Sequence, residues 1–362
     1  MNTDLKKIAG QFQIEGKIKE VVPLGEGFIN DTFIIHTEKS SPKYILQRKN
    51  KRVFSPIPAM MENIKKVCDH IKAKVEKAGG DPLREAMTII PANDGKLYFL
   101  DEEDEYWAVS LFIEDTVAYE AAETPELAYA GGKGIGKFQS LVSDLKEPLT
   151  DILPGFHNIR IRYEQWDAVL KKNPVGRKEK VTEEIEWIES RRNEMMDFWK
   201  LVENGTIPTR VSHNDTKINN ILFDKNGEVL CVIDLDTVLN STVLNDFGDA
   251  IRYYTNTGKE DDTNLENVSM NMEIFTAFAK GYLEEAGSFL TEKETEYLAF
   301  SAKYITYEQV LRFLMDYIDG DNYYKIKSED HNLVRTRAQY KLLTSIEEQY
   351  DTMKKVVKEL AS

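Results

Sequence analysis

Weak alternation of apolar and polar side chains over residues 18–22 predicts a first strand, and the runs over 32–36 and 43–48 predict two more. Leu24-Gly25-Glu26-Gly27 lies between the first two, and a polar Ser40-Ser41-Pro42 turn leads into the third. Ser55-Pro56 reads as a helix start, a capping hydroxyl followed by proline in the first turn. Met60, Ile64, Val67, Ile71 and Val75 then recur at three- and four-residue spacings, one apolar face that Gly79-Gly80 ends. Strands at 88–91 and 96–100 flank Asn93-Asp94-Gly95 as a predicted hairpin, and a last strand covers 107–113.

Beyond Glu114-Asp115-Thr116 the apolar period becomes helical. Helices are predicted over 125–145, 158–171, 181–202, 270–285, 292–318 and 332–360, interrupted by one short β element at 221–233. A β-rich first third and a helical remainder predict an α+β chain of two lobes. The smaller, β-rich one spans 1–113 and the larger, mostly helical one 114–362.

Composition mainly excludes. A chain of 362 residues with 41% hydrophobic and 30% charged side chains is long enough for two cores and unlike a disordered one. Its net charge of −15 argues against a nucleic-acid partner, whose phosphates need cations. Cys68 and Cys231 stand in no metal-ligand spacing and read as buried thiols of a reducing compartment. The opening MNTDLKKIAG has no apolar core and no run is long enough to span a bilayer. The expectation is a cytoplasmic protein with no membrane contact and no obligate protein partner.

The chemistry concentrates in Val211-Ser-His213-Asn-Asp215-Thr-Lys217-Ile-Asn-Asn220. Its skeleton, His-x-Asp-x-Lys-x-x-Asn, matches that of the protein-kinase catalytic loop. A short strand, an Asp224-Lys-Asn226-Gly227 turn and a return strand then lead to Asp234-Leu235-Asp236. A hairpin brings its ends together, so Asn220 and Asp234 are expected side by side as oxygen ligands for Mg²⁺, with Asp236 as a further ligand. Any one of these residues alone would read as an ordinary turn residue. The spacing, the hairpin and the paired acids together point to phosphoryl transfer from ATP, which depends on positioning and on cations. Asp215 is then the base for a substrate hydroxyl, Lys217 a cation for the transferred phosphate, and His213 an orienter of the loop. Gly25 and Gly27 would cover the nucleotide phosphates. The third strand offers Arg48 as its cation, on the face of Tyr44 and Leu46, and Glu62 early in the next helix as that cation's partner, although a solvated first-turn glutamate looks the same in sequence.

The glycine loop with Ile29-Asn-Asp-Thr32, Tyr44-Ile-Leu-Gln-Arg48, Met61-Glu62-Asn63-Ile64, the catalytic loop and Val232-Ile-Asp-Leu-Asp-Thr237 resemble the bacterial N-acetylhexosamine 1-kinases. So do Asp246-Phe-Gly-Asp-Ala-Ile-Arg252, Arg312-Phe-Leu-x-Asp316, Asp319-Gly-Asp321 and His331-Asn-Leu. These are aminoglycoside-phosphotransferase-like kinases. The resemblance implies a two-lobe protein-kinase-like fold, ATP and Mg²⁺, and transfer to the anomeric hydroxyl of N-acetylglucosamine or N-acetylgalactosamine. It implies a sugar site in the helical lobe formed by Asp215, Tyr253, Arg312 and Tyr323. A salt bridge from Arg312 to Asp316, one helical turn on, is the plain alternative for that arginine. Kinases of an aminoglycoside, choline or an amino-alcohol are the competing readings, and a nucleotide-binding pseudokinase is the reading from another class.

Overall fold

The computed structural model describes residues 4–25, 29–38 and 40–362. The chain forms two compact units, one of Met1–Ala118, Asp144–Pro154 and Ile221–Leu239, the other of Tyr119–Ser143, Gly155–Asn220 and Asn240–Ser362.

The first unit is built on an antiparallel sheet. Strands β1 (Ile18–Pro23), β2 (Asp31–Thr37) and β3 (Tyr44–Lys49) run in sequence order, and β6 (Tyr106–Leu111) pairs with β3 on the far side. The short strands β4 (Ile89–Ile90) and β5 (Phe99–Leu100) both pair with β6. The turn expected at 93–95 is present, with Gly95 at φ +84, but its flanking strands bond to β6 rather than extend a hairpin of their own.

Alternation along the sheet sorts its side chains. Ile35, Tyr44, Leu46, Trp107 and Val109 share one face with Ile8, Ala9 and Phe12, which come from the short helix α1 (Leu5–Ala9) and the turn after it. Five residues are too few to leave a periodic trace, so α1 was not predicted. Gln47 and Lys49 occupy the opposite face of β3. Helix α2 (Ile57–Lys77) buries the predicted Met60, Ile64, Val67, Ile71 and Val75, and also Asn63, whose amide exchanges hydrogen bonds with the backbone of Thr150 (2.8 and 2.9 Å). Strands β8 (Ile221–Phe223) and β9 (Val229–Val232) form the predicted hairpin, pairing Ile221 with Val232, while Val117 bridges to Phe223.

The second unit is mostly helical and includes the short strand β7 (Arg210–Ser212). Helix α3 (Pro125–Val142) is glycine-rich because it lies directly on α8 (Met272–Ala286). A Cβ on Gly132 would sit 2.1 Å from the Phe278 carbonyl oxygen, and one on Gly281 2.1 Å from that of Tyr129. Helices α4 (Ile159–Lys172), α7 (Val243–Tyr254) and α10 (His331–Leu360) pack on the long α9 (Glu292–Asp319), which opens with a capping box between Thr291 and Glu294. The single helix predicted over 181–202 is two, α5 (Thr182–Glu189) and α6 (Arg192–Glu203). The Ser190 hydroxyl donates back to the Trp187 carbonyl (3.2 Å) at the break, competing with the helical ladder. Helix α7 was not predicted, although Val243, Leu244, Phe247, Ala250, Ile251 and Tyr254 form an apolar stripe along it, and all of it except Tyr253 is buried. Among the described residues no helix is long and apolar enough to cross a membrane.

Candidate active site

In the second unit β7 delivers the chain to His213, and Asn214 turns it with a φ of 64. Two aspartates of α7 hold the turn. Asp246, fully buried, accepts the backbone N–H groups of His213 (2.9 Å) and Asn214 (2.7 Å) and the Nε2 of Gln139 from α3 (2.8 Å). Gln139 is held in turn by the Tyr282 hydroxyl of α8, so the glycine-mediated contact of α3 with α8 fixes the far end of this chain of bonds. Burial pushes the Asp246 carboxyl above its ordinary range, and the three donors and the nearby His213 oppose that rise. Asp249 accepts the Thr216 N–H (3.0 Å), and the Thr216 hydroxyl donates to the Asp246 carbonyl (2.8 Å).

These bonds present Asp215. Lys217 Nζ lies 2.9 Å from its Oδ1, and Asn220 Nδ2 donates to its carbonyl (2.9 Å) and its Oδ2 (3.2 Å). His213 is buried edge-on against Phe138 and accepts the Asp215 N–H on Nδ1 (3.3 Å). Burial works against the charge of Lys217, but Tyr253, Asp215 and Asp249 together raise its affinity for the proton above the ordinary value. Its ammonium sits 5.2 Å from the Tyr253 ring centre, and the Arg252 guanidinium lies over the same ring at 3.9 Å. Arg252 also pairs with Asp249 (3.4 Å) and Glu260 (3.0 Å).

Farther along, Arg312 on α9 faces the rings of Tyr323 (5.6 Å) and Tyr324 (5.5 Å) and donates to Gln309 Oε1 (3.3 Å). The salt bridge to Asp316 is not made. Asp316 instead accepts the backbone N–H groups of Tyr323 (2.8 Å) and Tyr324 (3.0 Å) and the Nδ2 of Asn332 (2.8 Å). Among the described residues no carboxylate lies within salt-bridge distance of Arg312. The segment between α9 and α10 is fastened twice more, by Arg177 to Asp321 (2.5 Å) and by Asp261 to Lys327 (2.7 Å) and His331 (3.0 Å). Its Tyr323 side chain is 65% exposed.

In the first unit the expected cation of β3, Arg48, and its neighbour Lys49 part company. Arg48 pairs with Asp31, its cross-strand neighbour, and is partly exposed. Lys49, one residue beyond the predicted strand end, is buried and lies 2.7 and 2.9 Å from the two oxygens of Asp236, with its third contact to Gln47 Oε1 (2.7 Å). Asn30 Nδ2 also donates to Asp236 (2.7 Å). Glu62 is exposed on α2 and pairs with neither cation. Asp234 heads the turn after β9 in the left-handed region, φ 61, which aspartate tolerates better than most side chains. Gly25 has φ +69, and Gly27 lies outside the described residues.

The structure thus groups Asp215, Lys217, Asn220 and Tyr253, groups Arg312 with Tyr323, and sets Asp236 on Lys49. An amide oxygen and a carboxylate, from Asn220 and Asp234, are hard donors of the kind Mg²⁺ takes when phosphates and water complete its shell. Sequence reasoning missed Lys49 because the strand was ended one residue early. The shared face of positions 47 and 49 was the available signal. It also missed Gln139 and the anchoring task of Asp246, which only the packing of α3, α7 and α8 reveals.

Residues 20–293 match a phosphotransferase enzyme family, abbreviated APH. The fold is similar to that of a microcompartment-associated aminopropanol kinase (TM-score 0.64, 14% identity, 97% of this chain and 98% of that one). It is also similar to an aminoglycoside phosphotransferase from Alicyclobacillus acidocaldarius (TM-score 0.61, 10% identity, 96% of each chain). A spectinomycin phosphotransferase in complex with ADP and spectinomycin gives a TM-score of 0.57 at 14% identity, over 96% of this chain and 98% of that one. At such identities the likeness is one of fold, the expected α+β, protein-kinase-like fold with a β-rich N-terminal part and a mostly helical C-terminal part. The match over 20–293 spans most of the sequence, and the chain belongs to the phosphotransferase enzyme family.

Proposed function

We propose that the protein is an ATP- and Mg²⁺-dependent small-molecule kinase that phosphorylates the anomeric hydroxyl of an N-acetylhexosamine. Asp215 carries the kinase part of this reading. Its carboxylate is oriented by Lys217 and Asn220 on a loop clamped by two buried aspartates, the pre-organisation that phosphoryl transfer needs. The substrate hydroxyl gives its proton to Asp215 as its oxygen bonds to the γ-phosphorus, and the bond to the ADP oxygen breaks. Lys217 places a positive charge beside the transferred group. Asn220 and Asp234 would hold Mg²⁺, which neutralises charge on the phosphate oxygens when bound. The ADP in the spectinomycin phosphotransferase of the same fold supports the choice of nucleotide.

The N-acetyl sugar part rests on Arg312, a half-buried guanidinium without a carboxylate partner and beside two tyrosine rings. Such a group wants an uncharged or anionic acceptor, and an acetamido carbonyl is one. Lys217, Arg252 and Arg312 make this a poor lining for a cationic substrate. The second reading, a kinase of an amine-bearing alcohol, is favoured by the aminopropanol kinase and spectinomycin phosphotransferase likenesses and by the carboxylates of Asp249 and Glu260. Incubation with Mg-ATP and a panel of N-acetylhexosamines, aminoglycosides, choline and amino-alcohols, read by ³¹P NMR, separates the two. An acid-labile sugar 1-phosphate is the expected product. Turnover of an amine alone would overturn the sugar assignment and leave the kinase one. Nucleotide binding without turnover of any of them would favour a pseudokinase.

A further inference from the structure

Lys49 and Asp236 form a buried ion pair in the first unit, and its geometry leaves Asp236 little room for another task. Oδ1 is taken by Lys49 (2.7 Å), and Oδ2 by Lys49 (2.9 Å) and Asn30 (2.7 Å). Both residues are buried, and Asp236 is the one carboxylate within salt-bridge reach of Lys49 among the described residues. A metal ion on Asp236 would have to share a carboxylate that already takes three bonds and would sit against a buried ammonium of like charge, an unfavourable arrangement.

The usual kinase arrangement pairs the strand cation with a glutamate of the following helix. Helix α2 does not supply one here: Glu62 is exposed, and its buried neighbour Asn63 is engaged with Thr150. We propose that Asp236 replaces that glutamate, acting as the positioning counter-ion of Lys49 and not as a metal ligand. On the nucleotide-binding reading above, Lys49 is then the cation that the first unit offers to the phosphates.

Asn30 extends this arrangement. While its Nδ2 donates to Asp236, its Oδ1 accepts the Asn50 N–H (3.1 Å), and Asn50 Nδ2 donates to the Ile29 carbonyl (3.3 Å). Residues 29 and 30 follow the glycine segment, Asn50 follows β3, and Asp236 lies in the turn after β9. One carboxylate therefore ties the exit of the glycine segment to the strand cation, so displacing either is felt by the other.

The test separates metal binding from nucleotide binding. Mn²⁺ affinity is measured by electron paramagnetic resonance in the presence of saturating ADP, and ADP affinity by calorimetry without metal. Asp236→Asn is expected to leave Mn²⁺ affinity within about threefold of wild type and to weaken ADP by about tenfold or more, the scale of one lost charge-assisted contact. Lys49→Met should weaken ADP equally, and the double variant no further, because the two residues act as a unit. Asp234→Asn should lose Mn²⁺ binding. If Asp236→Asn loses Mn²⁺ as Asp234→Asn does, Asp236 is a metal ligand and the proposal falls. If the single variant does not fold, the double variant, which removes both charges, carries the same Mn²⁺ comparison. Failure of the wild-type protein to bind ADP at all would sink the nucleotide reading itself, and this proposal with it.

Discussion

Replacing Asp246 by Asn tests whether the buried carboxylate places the catalytic loop. The carboxylate accepts from His213 N and Gln139 Nε2 on one oxygen and from Asn214 N on the other. An amide has one acceptor end, so in its better orientation it keeps the first two bonds and turns an NH₂ toward the Asn214 N–H. Gln139 cannot relieve this by flipping, since its Nε2 also reaches the Val243 carbonyl (3.4 Å) and its Oε1 accepts from Tyr282. A stranded buried N–H costs about 1–3 kcal/mol, and the remaining bonds lose their charge assistance. Burial of the carboxylate, which raises its affinity for the proton, is relieved by the amide and offsets part of this. The net loss is about 1–3 kcal/mol, a fall in melting temperature of about 2–10 °C for a unit of this size. Activity should fall much further, about 10²-fold in kcat, because the strained residues directly precede Asp215 and a displacement of about 1 Å suffices for that. Thermal unfolding by circular dichroism and a coupled ADP-release assay give both numbers. A lowered melting temperature with kcat within about threefold of wild type would show that Asp246 supports the fold without setting Asp215. No change in either would refute the hydrogen-bond argument.

Asp215→Asn should retain ADP binding by calorimetry and lose about 10²–10⁴-fold in kcat, the range for a general base, and near-normal turnover would remove Asp215 from the mechanism. Arg312→Ala should raise KM for an N-acetylhexosamine and change it little for the same sugar without the acetamido group, and an equal rise for both would show that Arg312 does not read that group. Asp261 is lowered to about 2, from an ordinary 3.8, by its bonds to Lys327 and His331. The stability this provides is full above about pH 4 and is lost as pH falls through about 2. Asp261→Asn should therefore unfold more readily in urea at neutral pH, by about 1–2 kcal/mol after allowance for partial exposure, and the difference should vanish near pH 2.

How far the sequence was legible depended on whether a signal was local. The apolar face of α2, the hairpin of β8 and β9 and the span of α9 are written in neighbouring residues, and all three were legible. Helix α7 is the exception: its apolar stripe is local and went unread, and its two aspartates, which lie off that stripe, look like solvent-facing acids until β7 is seen beside them. The candidate site divides in the same way. The spacing from His213 to Asn220 is a local pattern, and it marked the residues that the structure groups around Asp215. The partner of Lys49 is 187 positions away, and no pattern within one strand could have named it. Arg312 and Asp316 stand one helical turn apart and read as a pair, but the backbone N–H groups of Tyr323 and Tyr324 compete successfully for the carboxylate.

The segment joining α9 to α10 keeps its anchors and its exposed face on different residues. Asp316, Asp321, Asn332 and His331 look inward and fasten the backbone, whereas Lys325 and Ile326 look outward and the exposed Tyr323 ring meets the Tyr324 ring and the Arg312 guanidinium. Heritable variation can therefore reach the outward set without cost to the fold. If this segment borders the substrate, selection has a place to retune preference one side chain at a time on a frame that does not drift. Chains of this family that differ at the outward positions and agree at the inward ones would then be variants of one scaffold with separate tastes.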